Sequence, residues 1–294
     1  MLDLALSIFF SSLIFVIFKL FEVYKVQTLY AIIVNYVTAF IVGVLSFEGQ
    51  LTITEFPEKQ WFYGALALGV LFIVVFNIMA KTSQQLGVSV ASVATKMSLV
   101  IPVLFGVFQY KEELGVIKVI GILLALAAVY FASVRDKSLR IKRSALILPL
   151  LVFMGSGIID VCIKYFEATL VPEIEFPIFT AFVFGSAALS GLIFILIRLP
   201  KTPIKSNLRN ILGGIILGVP NFFSIYFLLR ALQHATLNSA SIFTINNVAI
   251  VMLTTLLGIV LFKERISKKN WAGISMAIIS IILVALGEQL NSLF

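Results

Sequence analysis

Two similar turns decide the fold of this chain: Tyr110-Lys111-Glu112-Glu113-Leu114 and Phe262-Lys263-Glu264-Arg265-Ile266. Further pairs at this or a slightly shifted offset are Ser89 with Ser241, Gly121 with Gly273, Gly64 with Gly213, and Lys19 with Lys164. Such self-similarity along a chain indicates an internal repeat. We expect the two repeats to occupy residues 1–137 and 138–294.

The sequence around these turns is too apolar for a soluble protein. It contains 61% hydrophobic and 12% charged residues, and its mean hydropathy is +1.10. Soluble domains carry roughly 25% charged residues, and fewer charges leave too much apolar surface in water. The net charge of +8 accompanies no polar stretch that is long enough for a nucleic-acid-binding domain. We therefore expect the lipid bilayer, and no nucleic acid, as a partner.

Ten apolar runs approach the length of about 20 residues that crosses a hydrocarbon core of about 30 Å. The runs are 3–21, 28–46, 61–81, 88–109, 114–134, 145–165, 177–197, 209–230, 239–261 and 270–288. They do not alternate with period two, so they favour helices over barrel strands. The prediction is an all-α integral membrane protein with ten transmembrane helices in two five-helix repeats. Because five is odd, the second repeat enters the bilayer from the opposite face, and the repeats are inverted.

Basic residues concentrate in the loops that follow the odd-numbered spans, as in segments 135–143 and 263–269. The opposite loops carry acids such as Glu55, Glu58 and Glu173. The positive-inside rule then places the odd loops in the cytoplasm. We expect a multi-pass protein of the cell inner membrane with both termini on the non-cytoplasmic side.

Polar side chains inside the spans mark a candidate binding site. Lys96 lies within the fourth span, where a charge costs roughly 2.5 to 3.5 kcal/mol on insertion scales. Ser92 and Lys96 share one stripe of this helix, Thr95 precedes Lys96, and the equivalent face of the ninth span carries Thr244 and Asn247. We expect these residues to bind solute, with Lys96 facing an anionic group.

Three further residues complete the predicted binding cavity: Asn77, Asn221 and Tyr226. Tyr226 falls on Asn77 when the repeats are aligned. Asn221 follows Pro220, which interrupts backbone pairing within the eighth span. Asn35, by contrast, is expected to bond to a neighbouring helix.

Asp160 is the acid that we expect at membrane depth, and it leaves two interpretations of Lys96 open. In one, Lys96 binds solute and Asp160 couples transport to a proton or another ion. In the other, the two residues form a permanent structural ion pair. Lys164, one helical turn further on, is an alternative partner for Asp160.

Other chemistry has little support in the sequence. The chain contains one cysteine, Cys162, one histidine, His234, and no phosphate-binding loop of the P-loop type. We therefore predict no disulfide framework, no metal site, no cofactor and no catalytic residue.

A set of short motifs in the second half carries a family resemblance. The motifs are Phe227-Leu228-Leu229-Arg230-Ala231-Leu232, Ser239-Ala240-Ser241, the turn at 261–266 and Trp271-Ala272-Gly273. Together they resemble the EamA-like branch of the drug/metabolite transporter superfamily. The resemblance implies a ten-helix secondary transporter that acts in efflux. The chain departs from the family pattern at Lys111 and Lys263, where the family usually has glycine.

We therefore expect a carrier that exports a small polar organic solute, such as an amino acid, by alternating access. It would work as a monomer, with a proton or ion as the coupling partner. Efflux of cationic drugs is the alternative, if Lys96 serves only to pair with Asp160. A polytopic membrane enzyme or a receptor is less well supported, because the acids are scattered and an inverted repeat is typical of a carrier.

Overall fold

The structure is a computed structural model, which describes residues 1–49, 53–86, 94–111, 114–133, 147–198, 207–234, 237–262 and 268–291. Within these residues it contains ten α-helices. They are α1 (Leu2–Val23), α2 (Thr28–Leu45), α3 (Phe62–Leu86), α4 (Val100–Tyr110), α5 (Val116–Ser133), α6 (Ile147–Thr169), α7 (Phe176–Arg198), α8 (Leu208–His234), α9 (Ser239–Phe262) and α10 (Lys268–Asn291). The described residues form no β-strand.

These helices follow the predicted apolar runs closely. In the described part of the chain, seven helices are long and apolar enough to cross a membrane, and three more apolar helices are shorter. The prediction of an all-α membrane protein is therefore confirmed.

The fourth predicted span is interrupted in the structure. A helical turn at 94–97 precedes α4. Between the two, the backbone N–H groups of Leu99 and Ile101 donate to carbonyls three residues earlier, at 3.4 and 2.9 Å. Pro102 explains the break, because it lacks an N–H and is tolerated in the first turn of a helix rather than in its interior. Lys96 consequently lies beside a helix break.

The chain folds into two compact units, and each takes helices from both repeats. The first unit contains Met1, Val75–Lys164 and His234–Phe294, and the second contains Leu2–Val74 and Tyr165–Gln233. This division differs from the division into repeats at 1–137 and 138–294, which stays a prediction.

Within the second unit, α2 and α7 are the corresponding helices of the two repeats, and they pack antiparallel. In order along α2, the close approaches are Ile33 to Gly191, Tyr36 to Phe184 and Gly43 to Ala181. Residue numbers thus fall along α2 as they rise along α7. The two helices cross the bilayer in opposite directions, as inverted repeats require.

The third helix of each repeat packs on the second helix of the other. A Cβ atom added at Gly69 of α3 would clash with the carbonyl oxygen of Val183 in α7. In the equivalent contact, a Cβ atom at Gly218 of α8 would lie 2.7 Å from the carbonyl oxygen of Asn35 in α2. Glycine allows these helix backbones to approach closely.

Equivalent polar contacts join the starts of these helices. Buried Glu175, just before α7, accepts hydrogen bonds from Lys59 Nζ at 2.7 Å and from Trp61 Nε1 at 2.6 Å. Just before α2, Gln27 Oε1 accepts a hydrogen bond from Asn210 Nδ2 at 3.1 Å, and the Gln27 backbone N–H donates to Asn210 Oδ1 at 2.9 Å. One contact is an ion pair and its counterpart is a neutral amide pair.

Within the first unit, α5 and α10 also pack antiparallel. Gly121 approaches Val284, whereas Lys118 approaches Gly287, and the Ser280 hydroxyl donates to the Gly121 carbonyl oxygen at 2.8 Å. Lys118, which the charge pattern assigns to the non-cytoplasmic side, is only 1% exposed. The aliphatic part of the Lys118 side chain lies against Gly287, where the two helices approach each other closely.

We expect Gly69→Ala to destabilise the protein by roughly 1–3 kcal/mol, because the new methyl group meets a backbone oxygen that cannot move without shifting α7. Thermal unfolding in detergent measures the effect. Val70→Ala, at an exposed neighbouring position, is the control and should change stability little. A Gly69→Ala variant as stable as the parent would contradict this helix contact.

The C-terminus of α4 generates a second stability prediction. Lys111 ends this helix with φ of 53°, in the left-handed region, and its N–H donates to the Gly106 carbonyl. This conformation favours glycine, which the family resemblance leads one to expect there. The left-handed strain that glycine relieves, about 1–2 kcal/mol, exceeds the entropic cost of glycine, roughly 0.5–1 kcal/mol, so Lys111→Gly should raise stability in a thermal-unfolding assay. Lys111→Ala keeps the Cβ atom and should bring no gain; equal effects of the two changes would contradict the explanation.

Candidate solute-binding site

Lys96 is the centre of the candidate site. Its side chain is buried, with the residue 8% exposed, and its Nζ donates a hydrogen bond to Asn247 Oδ1 at 3.1 Å. Asn247 lies on α9 and is 6% exposed. Both residues belong to the first unit. The Asn247 amide accepts from one N–H of the ammonium group and carries no charge of its own.

Asp160, the acid that the sequence pairs with Lys96, lies partly exposed on α6 in the same unit. The packing of α6 on α4 positions it, because Gly157 lies directly against Ile101, and Asp160 follows one turn later. Asp160 and Lys96 thus belong to one unit, and their direct pairing stays a prediction. The hydrogen bond of Lys96 to Asn247 joins the two repeats.

Other predicted site residues of the first unit lie on the same elements. The Thr95 hydroxyl donates to Met79 Sδ at 3.5 Å, and the buried Thr244 hydroxyl donates to the Ala240 carbonyl at 2.7 Å. Asn77 lies half-buried on α3. Ser92 falls outside the described residues.

Two predicted site residues, Asn221 and Tyr226, lie in the second unit instead. Asn221 Nδ2 donates to Asn35 Oδ1 at 3.1 Å, so Asn35 bonds to a neighbouring helix. The Tyr226 ring stacks on Phe222 with centroids 5.7 Å apart, and its hydroxyl accepts a hydrogen bond from Arg230 Nη1 at 3.4 Å. The solute-binding role of Asn221 and Tyr226 stays a prediction.

Arg230 belongs to a charged cluster that the sequence pattern does not predict. Arg230 Nε lies 3.3 Å from Asp3 Oδ1 and 3.8 Å from Glu173 Oε1. The Ser7 hydroxyl also donates to the Ser224 carbonyl at 2.9 Å, so α1 and α8 contact each other along their length. No local sequence signal predicts these pairs, because their members are far apart in the chain.

In the ranges that the structure describes, no group of three or more histidine, cysteine, aspartate or glutamate residues is placed to hold a metal ion.

Comparisons with known proteins place the chain in a family. A sequence model of the EamA-like transporter family matches residues 1–134 and 143–286. An uncharacterized protein of Haemophilus influenzae is 33% identical over 222 residues, which cover 74% of this chain and 72% of that protein. A solved crystal structure has the same fold, with a TM-score of 0.76 at 15% identity, covering 98% of this chain and 96% of that one. The chain therefore belongs to the EamA-like transporter family.

Proposed function

We propose that this transporter is a secondary carrier for a small polar organic solute with an anionic group, such as an amino acid. The buried Lys96 ammonium, hydrogen-bonded to Asn247, is the observation that supports this proposal. Charged groups at membrane depth are costly, and they usually face the pathway of a substrate or ion. Lys96 is therefore the residue that would bind the anionic group of the solute.

The hydrogen-bonding pattern supports an anion rather than a cation. Asn247 Oδ1 accepts from Lys96, so the other side of this amide presents its two N–H donors. Within the described residues, the Asn247 amide nitrogen donates to no protein atom. An ammonium and an amide N–H group side by side match the oxygens of one carboxylate.

The inverted repeats support alternating access as the mechanism. Two halves of opposite orientation allow one structure to open to either side of the membrane by the same motion. Export as the direction rests on the resemblance to the drug/metabolite transporters. The proposal further includes a monomer in the inner membrane, with Asp160 as the group that senses a coupling proton or ion. Asn77, Thr95 and Thr244 would contact the uncharged part of the solute.

We expect Lys96→Met to lower transport at least tenfold. The reason is that a hydrogen bond to a charged group contributes about 1.5–3 kcal/mol, which corresponds to at least a tenfold change in binding. The measurement is uptake of a panel of radiolabelled amino acids into proteoliposomes, with the corresponding amino-acid amides as competitors. The amides lack the carboxylate and should compete poorly.

Lys81→Met is the matched control, because Lys81 is an exposed lysine in the last turns of α3. Its transport should equal that of the parent protein. Unchanged amino-acid transport by Lys96→Met would contradict the proposal. Transport of lipophilic cations that survives this substitution would instead identify a drug-efflux carrier, with Lys96 as a structural partner of Asp160.

A labelling experiment tests on which side of the membrane the N-terminus lies. In a Cys162→Ser background, we expect a cysteine at position 2 to react with a membrane-impermeant maleimide in intact cells, because the charge pattern places the N-terminus outside. A cysteine at position 137, within the basic loop, should react only after the cells are permeabilised. The reverse labelling pattern would show that both termini are cytoplasmic.

A further inference from the structure

We propose that the second unit binds one phospholipid, a phosphatidylethanolamine. One acyl chain of this lipid lies in an apolar groove between α2, α3 and α7, and its headgroup lies at the turn before α3. All residues that line the groove belong to the second unit, whereas Lys96 belongs to the first. The inference is therefore independent of the proposed solute site.

The groove is apolar and has the size of a ligand site. Its volume of about 540 Å³ lies within the range of about 300–1,000 Å³ that is usual for small-molecule sites. The small residues Ala67, Gly185 and Ala188 form part of its lining. The only polar side chain in the described lining is Ser186, and its hydroxyl donates to the Leu66 carbonyl at 2.6 Å. The lining therefore suits a hydrocarbon chain.

The groove faces the hydrocarbon of the bilayer. Val37, Val70 and Leu189 of the lining are exposed, and they lie in helices that are long and apolar enough to cross a membrane. Between apolar surfaces in lipid, packing rather than the hydrophobic effect provides the attraction. A chain in the groove is surrounded by more protein atoms than a chain on a flat helix surface, and it gains the corresponding dispersion energy.

The groove is elongated in the way that an acyl chain requires. On α7 its lining extends from Phe182 to Leu192, a rise of about 15 Å along the helix. The hydrocarbon of one leaflet has a comparable depth, half of about 30 Å. The Phe182 end of the groove is the end nearer to the start of α7.

At this end, the groove reaches the turn that precedes α3. The Phe182 ring centroid lies close to three ring centroids of the turn, at 4.9 Å from Phe56, 5.2 Å from Phe62 and 5.8 Å from Trp61. Tryptophan is enriched at the membrane–water interface. A chain that enters the groove at Phe182 therefore brings its headgroup to this turn.

The turn carries charges of both signs. The side chain of Lys59 is 31% exposed, and its Nζ donates to Glu175 Oε1 at 2.7 Å, the one hydrogen bond of this ammonium group within the described ranges. Its other N–H groups can donate to a phosphate. Glu58, the preceding residue, is exposed. Its carboxylate can accept hydrogen bonds from a primary ammonium group.

These charges select among phospholipid headgroups. The carboxylates of Glu55, Glu58 and Glu175 outnumber the ammonium group of Lys59, so the turn repels an anionic headgroup. Phosphatidylcholine carries no net charge, but its quaternary ammonium has no N–H donor. Phosphatidylethanolamine has a phosphate for Lys59 and a primary ammonium for Glu58, and it is the headgroup that the turn matches.

The test uses tryptophan fluorescence. The chain contains two tryptophans, Trp61 and Trp271, so a Trp271→Phe background leaves Trp61 at the end of the groove as the reporter. The full chain is reconstituted into vesicles of dioleoylphosphatidylcholine. A fixed fraction of this lipid is replaced by phosphatidylethanolamine or by phosphatidylcholine with bromine atoms in the upper part of the chains. Because bromine quenches tryptophan only at short range, the quenching reports which lipid occupies the groove.

We expect brominated phosphatidylethanolamine to associate with the groove roughly threefold more strongly than brominated phosphatidylcholine, which is the contribution of about one additional hydrogen bond. Ala67→Phe, which fills the groove, should remove this preference. Ala168→Phe is the matched control, because Ala168 is an exposed alanine of α6 outside the lining, and it should retain the preference. Glu58→Gln, which changes an exposed side chain and leaves the packing intact, should reduce it.

Equal quenching by the two brominated lipids in the parent would overturn the inference, as would a preference that Ala67→Phe leaves unchanged. If Ala67→Phe does not fold, Glu58→Gln still decides, since an unchanged preference in that variant would overturn the headgroup assignment. Stronger quenching by brominated phosphatidylglycerol would overturn the choice of a zwitterionic lipid.

Discussion

The hydrogen bond between Lys96 Nζ and Asn247 Oδ1 joins a buried cation in the first repeat to an amide in the second. Because a charge inside the membrane is costly, the surrounding structure must compensate for it. Lys96 lies in the helical turn just before the break that precedes α4. The packing of Gly157 against Ile101 joins α4 to the helix that carries Asp160.

Symmetry provides the framework for this site. In the second unit, α2 and α7 run antiparallel, and the glycines of α3 and α8 contact the opposite repeat through equivalent positions. The pairs Trp61–Glu175 and Asn210–Gln27 occupy equivalent places with different chemistry. Backbone packing has thus kept the two-fold relation of the repeats, while the polar side chains have diverged. Lys96 is an example of this divergence, because the repeat alignment places apolar Val248 at the same position.

The helices were predictable because an apolar run that is long enough to cross the bilayer indicates a transmembrane helix. The bounds of α7 and α9, for example, differ little from those of the predicted runs. The break at 98–99 was not predicted, since Pro102 lies within an uninterrupted apolar stretch. Lys96 and Asn247 were both predicted as site residues because polar groups are costly in a membrane. Their hydrogen bond could not be predicted, because it depends on how α9 packs in three dimensions. The pairs Glu175–Trp61 and Arg230–Asp3 depend on contacts between distant segments, which no local pattern encodes.

The most direct measurement is the ¹⁵N spectrum of the Lys96 side chain in protein labelled at lysine Nζ, with the signal assigned by its absence in Lys96→Met. The spectrum is recorded without solute, with the transported amino acid, and with the amide of that amino acid. We expect the Lys96 signal to shift with the amino acid and to stay unchanged with the amide, because only the former brings a carboxylate to the ammonium group. A signal that the transported solute leaves unchanged would contradict the assignment of Lys96 as its anchor.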